Sequence, residues 1–361
     1  MKLRQHFLNE FKILWIILFF LLLISFLGQY SAFSGTLDGQ VQKHLIRMIV
    51  GIAVMWCAYI VDFKIWSNLA YAFYAFSLIS LMIVDLLGTV KLGAQRWIDL
   101  YFFTFQPSEL MKLALILALA RYYSMLSALE TVDLKCHISP IFFTLLPVIW
   151  IAKQPDLGTA GLLLGTGFVM IFLTGFPQKI FTIVIISLMG LCPLGWFFLH
   201  DYQKNRILTF LAPDRDPLGA GYNILQSKIA IGSGHVWGRG FLQGTQSKLN
   251  FLPEKNTDFI FTTIAEESGF FGSLLVLCLF LALCGYFFWA ASETRTKFSK
   301  LICYGLGTLI FLHVFVNIAM VIGLLPIVGI PLPFLSYGGS SMITFMISCG
   351  LVMSAVGQKK R

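Results

Sequence analysis

Asp258 stands in Leu252-Pro253-Glu254-Lys255-Asn256-Thr257-Asp258-Phe259-Ile260-Phe261, a mixed-charge strip that closes a long polar stretch. The sequence on both sides of that stretch is almost wholly apolar. A carboxylate set against a bilayer boundary costs free energy, which makes Asp258 a candidate site residue. The plain alternative is a solvated loop Asp that marks where a helix begins. Cations gather in three further places. Arg47 opens one apolar run. Arg96 lies beside Gln95, Trp97 and Asp99 before another. Arg206 follows Tyr202, Gln203, Lys204 and Asn205 at the start of the polar stretch. A lone arginine at a membrane edge usually snorkels to lipid phosphate. Three groups on one face point instead to an anionic ligand, because the guanidinium fork matches phosphate oxygens. Trp97 is read first as an interface-packing residue and second as a platform for a sugar ring.

Polarity also enters the apolar runs. Glu109 and Lys112 are three apart and share a helix face. Either alone would cost about 2.5–3.5 kcal/mol at the centre of a bilayer; together they neutralise each other. They either fix helix packing or form one wall of a polar cavity, with Gln106 and Ser108 leading into it. His313 and Asn317, four apart, suit a helix–helix hydrogen bond better than catalysis. Asp156, after Gln154-Pro155, suits a helix cap. Pro331, Pro333, Ser336, Gly338 and Gly339 break helical regularity, and such backbone survives at membrane depth only beside protein or a wet cavity. Phosphate loops, dinucleotide fingerprints, HExxH and GxSxG are absent from the sequence.

These side chains must be positioned by a membrane bundle. Hydrophobic residues make up 58% of the chain and charged ones 12%, against roughly 25% charged in soluble domains. The apolar runs are continuous rather than alternating, so helices and not barrel strands are expected. The fold class is all-α, a polytopic integral membrane protein of about ten helices of roughly 17–25 residues. The runs are Leu14–Leu27, His44–Val61, Ile65–Leu87, Pro107–Met125, Pro140–Ala152, Leu157–Thr174, Ile180–Leu199, Glu267–Ala290, Phe298–Leu324 and Phe334–Gly357. They form one domain, 1–361. Lys2, Arg4, Lys12, Lys64, Arg121, Lys135, Lys179, Arg295, Lys297, Lys300, Lys359, Lys360 and Arg361 then fall on one face, expected to be cytoplasmic with both termini. The first run has basic residues before it and no small-residue cleavage pattern, so an uncleaved anchor is expected. The segment 201–258, between helices seven and eight, is expected to be an ordered extracytoplasmic cap, with a helix near Tyr222–Ile231. The seven cysteines fall mostly inside runs and suit packing, not a disulfide framework or metal cluster. The +9 charge is scattered, with no nucleic-acid patch.

Gly93-Ala94-Gln95-Arg96-Trp97-Ile98, Phe105-Gln106-Pro107-Ser108-Glu109-Leu110-Met111-Lys112, Gln154-Pro155-Asp156-Leu157-Gly158, Leu252–Phe261 and Pro331–Ser341 occur in that order. Together they resemble the SEDS family of cell-shape and division proteins. Asp216–Ile231 with Gly244-Thr245-Gln246-Ser247 looks more like the family's elongation members than its division members. The resemblance implies a peptidoglycan glycosyltransferase that polymerises lipid II at the outer leaflet during cell elongation. It implies partners too: a class B penicillin-binding protein that cross-links the strands, and other elongation-complex proteins. By motif match Asp258 corresponds to the family's essential loop aspartate. Arg47, Arg96, Trp97, Gln106, Glu109, Lys112, Gln203 and Arg206 fall at its other functional polar positions. Thr104 stands where such sequences often carry arginine.

The chemistry so implied suits the residues. A sugar hydroxyl attacks an anomeric carbon whose leaving group is a lipid pyrophosphate. A carboxylate base contributes about 10²–10⁴-fold to such a step. A glycosidase needs a second carboxyl group to protonate its leaving alcohol; pyrophosphate needs only its charge stabilised, by cations or a metal ion. Asp258 is thus the expected base. Arg47, Arg96, Arg206 and Lys112 are the expected pyrophosphate ligands, and a divalent cation (Mg or Mn) is left open. Two other readings stand beside this one: a flippase for a lipid-linked oligosaccharide, and a non-catalytic scaffold of the elongation complex.

Overall fold

The structure is a computed structural model and describes residues 11–91, 94–99, 104–127, 129–198, 201–216, 219–248, 252 and 254–357. Gly93, Pro217, Leu218, Pro253 and the basic residues expected at the two ends (Lys2, Arg4, Lys359, Lys360, Arg361) lie outside the described residues.

Helices α1 (Lys12–Ala32), α2 (Gly39–Ile60) and α3 (Phe63–Leu87) lead into three short strands, β1 (Thr89–Lys91), β2 (Ala94–Asp99) and β3 (Thr104–Phe105). Next come α4 (Pro107–Ser124), α5 (Ile138–Lys153), α6 (Leu157–Leu173) and α7 (Gln178–Phe198). The polar stretch holds α8 (Asp201–Leu211), α9 (Ala220–Ser233) and the single turn α10 (Thr245–Lys248). Helices α11 (Ile260–Glu293), α12 (Lys297–Val321) and α13 (Gly339–Gly357) complete the chain. Each of the ten expected spans has its helix. Among the described residues seven of these, α1, α2, α3, α5, α11, α12 and α13, are long and apolar enough to cross a membrane. Helix α6 is apolar but shorter, and α4 carries Glu109, Lys112 and Arg121.

Several helix ends follow from local chemistry. Asp62 accepts from Lys64 N at 2.9 Å, and Thr296 accepts from Ser299 N at 3.1 Å, capping α3 and α12. Pro107 opens α4, where its missing N–H has no intrahelical partner to lose. Two helix starts and one connection differ from expectation. Helix α11 begins at Ile260 rather than Glu267, so Glu266 and Glu267 are helical and buried. Helix α13 begins at Gly339 rather than Phe334, because Phe334 has φ +63°, outside the right-handed helical region, and Tyr337 N donates to Asn256 O instead of along a helix. A three-stranded antiparallel sheet, order β1-β2-β3, fills the connection before α4.

Helices α12 and α13 form the centre, with 72% and 78% of their spans buried against 22% for α2. Gly305 lets α12 come close to its neighbours: a Cβ there would lie 2.8 Å from Ile116 of α4 and 2.8 Å from Met170 of α6. The helix expected near Tyr222–Ile231 is α9. It docks through Ser227, whose hydroxyl donates to Val321 O at 2.6 Å. The segment after α9 meets α11 backbone against backbone. A Cβ on Gly238 would lie 2.0 Å from Glu267 O, and α11 kinks at Gly269, which has φ +66°.

Candidate active site

The carboxylate of Asp258 lies on a turn, residues 254–259, just before α11. Three consecutive carbonyls of that turn are held from three directions. Gln29 of α1 donates through Nε2 to Asn256 O at 2.9 Å and to Leu335 O at 2.8 Å. Ser336 donates through Oγ to Thr257 O at 2.7 Å and accepts from Leu332 N at 2.7 Å. Asn317 of α12 donates through Nδ2 to Asp258 O at 2.9 Å and to Ile330 O at 2.7 Å. The irregular 331–338 segment joins in through Tyr337 N, which donates to Asn256 O at 2.8 Å. The broken backbone thus lies beside protein, as its depth demands. Removing Asn317 would leave two carbonyls without a donor, at about 1–3 kcal/mol each. Asn317→Ala is therefore expected to melt several degrees below the wild type in detergent. An unchanged melting temperature would deny the tether.

Around the carboxylate the charges are mixed. Burial, then Glu254 and Asp156, push the Asp258 carboxyl up to about 7, while Arg206 and Arg96 pull it back. Arg96 reaches the site from β2, where alternation sets it on the face opposite Trp97. Its guanidinium donates to Gln154 O at 3.2 Å and to Pro155 O, and lies 3.6 Å from Asp156. Asp156 also caps α6, accepting from Thr159 N at 3.2 Å, so the expected cap is present beside an ion pair. Arg206 comes from α8, as does Gln203, which is buried. Gly329 borders the carboxylate: a Cβ there would stand 3.6 Å from Asp258 Oδ2.

The other expected residues fall into two groups. Arg47 of α2 stacks over the Tyr337 ring at 4.2 Å, and a Cβ on Gly339 would lie 3.3 Å from its Nε. It therefore borders the same irregular segment that holds the Asp258 turn. Thr104 is close by, its carbonyl accepting from Ser340 Oγ at 3.1 Å. Gln106 is the residue before α4 and is half-buried, as is Trp97. Glu109 and Lys112 lie deeper. Lys112 Nζ is 2.7 Å from Glu109 Oε1 and 3.0 Å from His313 Nε2, and lies 5.6 Å from the centre of the Phe345 ring. Lys112 is 1% exposed, so its ammonium braces α4 against α12 and α13. His313 makes the helix–helix bond expected of it. Gln29, Ser336 and Asn317 had no place among the expected site residues. Their only signal was polarity within or beside apolar runs. Among the described residues no three His, Cys, Asp or Glu converge to hold a metal ion.

Fold and site define an integral membrane protein whose polar machinery lies at one end of a helical bundle, under the segment 201–258. Residues 7–361 match the family model FTSW_RODA_SPOVE, described as a cell cycle protein. The chain belongs to that family, the SEDS family. The peptidoglycan glycosyltransferase MrdB of Escherichia coli K12 is 41% identical over 96% of this chain and 93% of its own length. Its Helicobacter pylori 26695 counterpart is 38% identical over 92% and 86%. Among solved structures, a peptidoglycan synthase complex that coordinates polymerization and crosslinking matches with TM-score 0.82 and 28% identity. That match covers 96% of this chain and 98% of the other. Thermus thermophilus RodA matches with TM-score 0.72 and 25% identity over 97% of each.

Proposed function

We propose that this peptidoglycan glycosyltransferase polymerises lipid II into glycan strands, with Asp258 as general base. The observation that carries the assignment is the Asp258 carboxylate on a turn held by Gln29, Ser336 and Asn317, with the guanidiniums of Arg96 and Arg206 in its field; burial raises its carboxyl to about 7. A base works best when its pKa lies near the working pH. Asp258 takes the proton of the attacking sugar hydroxyl. Arg96 and Arg206 stabilise the growing negative charge on the pyrophosphate, and Arg47 extends the cationic wall towards Tyr337. The site lies on the outer face, both termini lie in the cytoplasm, and the strand passes to a class B penicillin-binding protein of the elongation complex. The match to a synthase complex and the basic connections at the far end of the bundle support that arrangement.

The decisive measurement is lipid II polymerisation by purified protein, with and without the cognate penicillin-binding protein, comparing wild type with Asp258→Asn. An Asp258→Asn protein that makes glycan at the wild-type rate overturns the base assignment. A wild type that forms no glycan in detergent, yet moves lipid across a bilayer, favours the flippase. Omitting Mg and Mn with a chelator tests the divalent cation: a loss beyond about tenfold assigns it a share of the leaving-group charge.

The pH profile follows from the same geometry. Only the ionised carboxylate is a base, so the rate falls as pH drops through about 7. Arg206 lowers the Asp258 pKa, so Arg206→Gln raises it and moves the acid limb to higher pH. A limb that stays in place would remove Arg206 from the field of the base.

A further inference from the structure

At the end of the bundle away from Asp258 lies a cavity of about 510 Å³. It opens among the C-terminal ends of α2, α4 and α13 and the N-terminal ends of α3 and α12. The separation is large: α4 starts beside the site and ends at the cavity, and 18 residues of helix span roughly 27 Å. Three cations line it, Lys64, Arg121 and Lys297, with Asp62 the lining carboxylate. Among the described residues none of the three cations is in an ion pair. Arg121 donates to Ser67 Oγ at 2.9 Å and Lys297 to Leu126 O at 3.0 Å, both neutral acceptors. Glu130 is a further anion in the field of Lys297.

Three cations against the carboxylates of Asp62 and Glu130, with Arg121 and Lys297 bonded to neutral acceptors, in a cavity of this size suit one chemistry, a phosphate-ester anion. The cavity sits where apolar helices end, at the depth of lipid headgroups. Basic recesses between membrane helices hold acidic headgroups by this means. We infer that the cavity lined by Lys64, Arg121 and Lys297 binds the phosphate headgroup of an acidic phospholipid. The bound headgroup ties the start of α12 to the end of α4. The same two helices meet through Lys112 and His313 nearer the Asp258 site.

The test is thermal unfolding of the full chain in neutral detergent, with phosphatidylglycerol, phosphatidylcholine or inorganic pyrophosphate added separately. Phosphatidylglycerol is expected to raise the melting temperature and phosphatidylcholine to leave it unchanged. The combined Lys64→Gln, Arg121→Gln, Lys297→Gln variant should need at least about tenfold more phosphatidylglycerol for the same rise. Arg121 also holds α3 through Ser67, so that variant is paired with Lys64→Gln alone. Lys64 is exposed, and its loss should weaken the response about fivefold. Asp258→Asn and Arg206→Gln should keep the full response, which separates this cavity from the catalytic end. Equal responses to the two lipids would overturn the inference, as would an undiminished response in both cavity variants. Stabilisation by pyrophosphate but not by phosphatidylglycerol would overturn the lipid assignment in favour of a soluble phosphate compound.

Discussion

Asp258→Asn is expected to cut lipid II polymerisation by about 10²–10⁴-fold, the usual contribution of a positioned base. The substitution keeps the size of the side chain and removes only its capacity to take a proton. The backbone of residue 258 should stay in place, because Asn317 holds its carbonyl and not its carboxylate. Melting temperature should therefore hold or rise, since the neutral amide does not carry the penalty of ionising a carboxyl among Glu254 and Asp156. Loss of activity with retained stability identifies a chemical role. Loss of both in equal measure would reduce Asp258 to a structural residue. Asp258→Glu should recover only part of the rate, since the longer arm misplaces the base by more than catalysis tolerates.

Lys112→Met is the second large effect. It leaves the buried Glu109 without the ammonium 2.7 Å away, and breaking such a pair by removing one partner costs about 3–5 kcal/mol. The measurement is thermal or denaturant unfolding in detergent. Adding Glu109→Leu to Lys112→Met removes the stranded carboxyl and should restore most of the loss. Recovery stays incomplete by about 1–3 kcal/mol, because His313 Nε2 loses its partner at 3.0 Å. If Lys112→Met alone is as stable as the wild type, the pair does not brace the bundle. Its buried position would then have to be explained by a ligand.

The sequence made the bundle legible because bilayer length and apolar continuity are the same constraint seen twice. Every expected span holds a helix, and Asp156 and Tyr222–Ile231 took the local structures their neighbours suggested. Charge was legible as well: Arg96 and Arg206 could be grouped with Asp258 because cations and carboxylates are rare in such a chain. The tethers were not. Gln29 and Asn317 act on backbone carbonyls of residues 227 and 59 positions away, and no local pattern reports a partner that remote. The sheet was hidden for a related reason: β3 has two residues, too few for an alternation to show. Helix α11 starts at Ile260, seven residues before the expected Glu267, and so takes in Glu266. Both glutamates are buried, Glu266 accepting from Thr245 and Gln246 and Glu267 from Ser31.

The donors that hold residues 256–258 are two carboxamides, a hydroxyl and one backbone N–H, and none of these gains or loses a proton anywhere in the working range of the protein. The cradle is therefore deaf to acidity while its passenger is not. An acid-induced fall in turnover should reverse fully when neutrality is restored. Any hysteresis in that titration would have to originate elsewhere in the molecule.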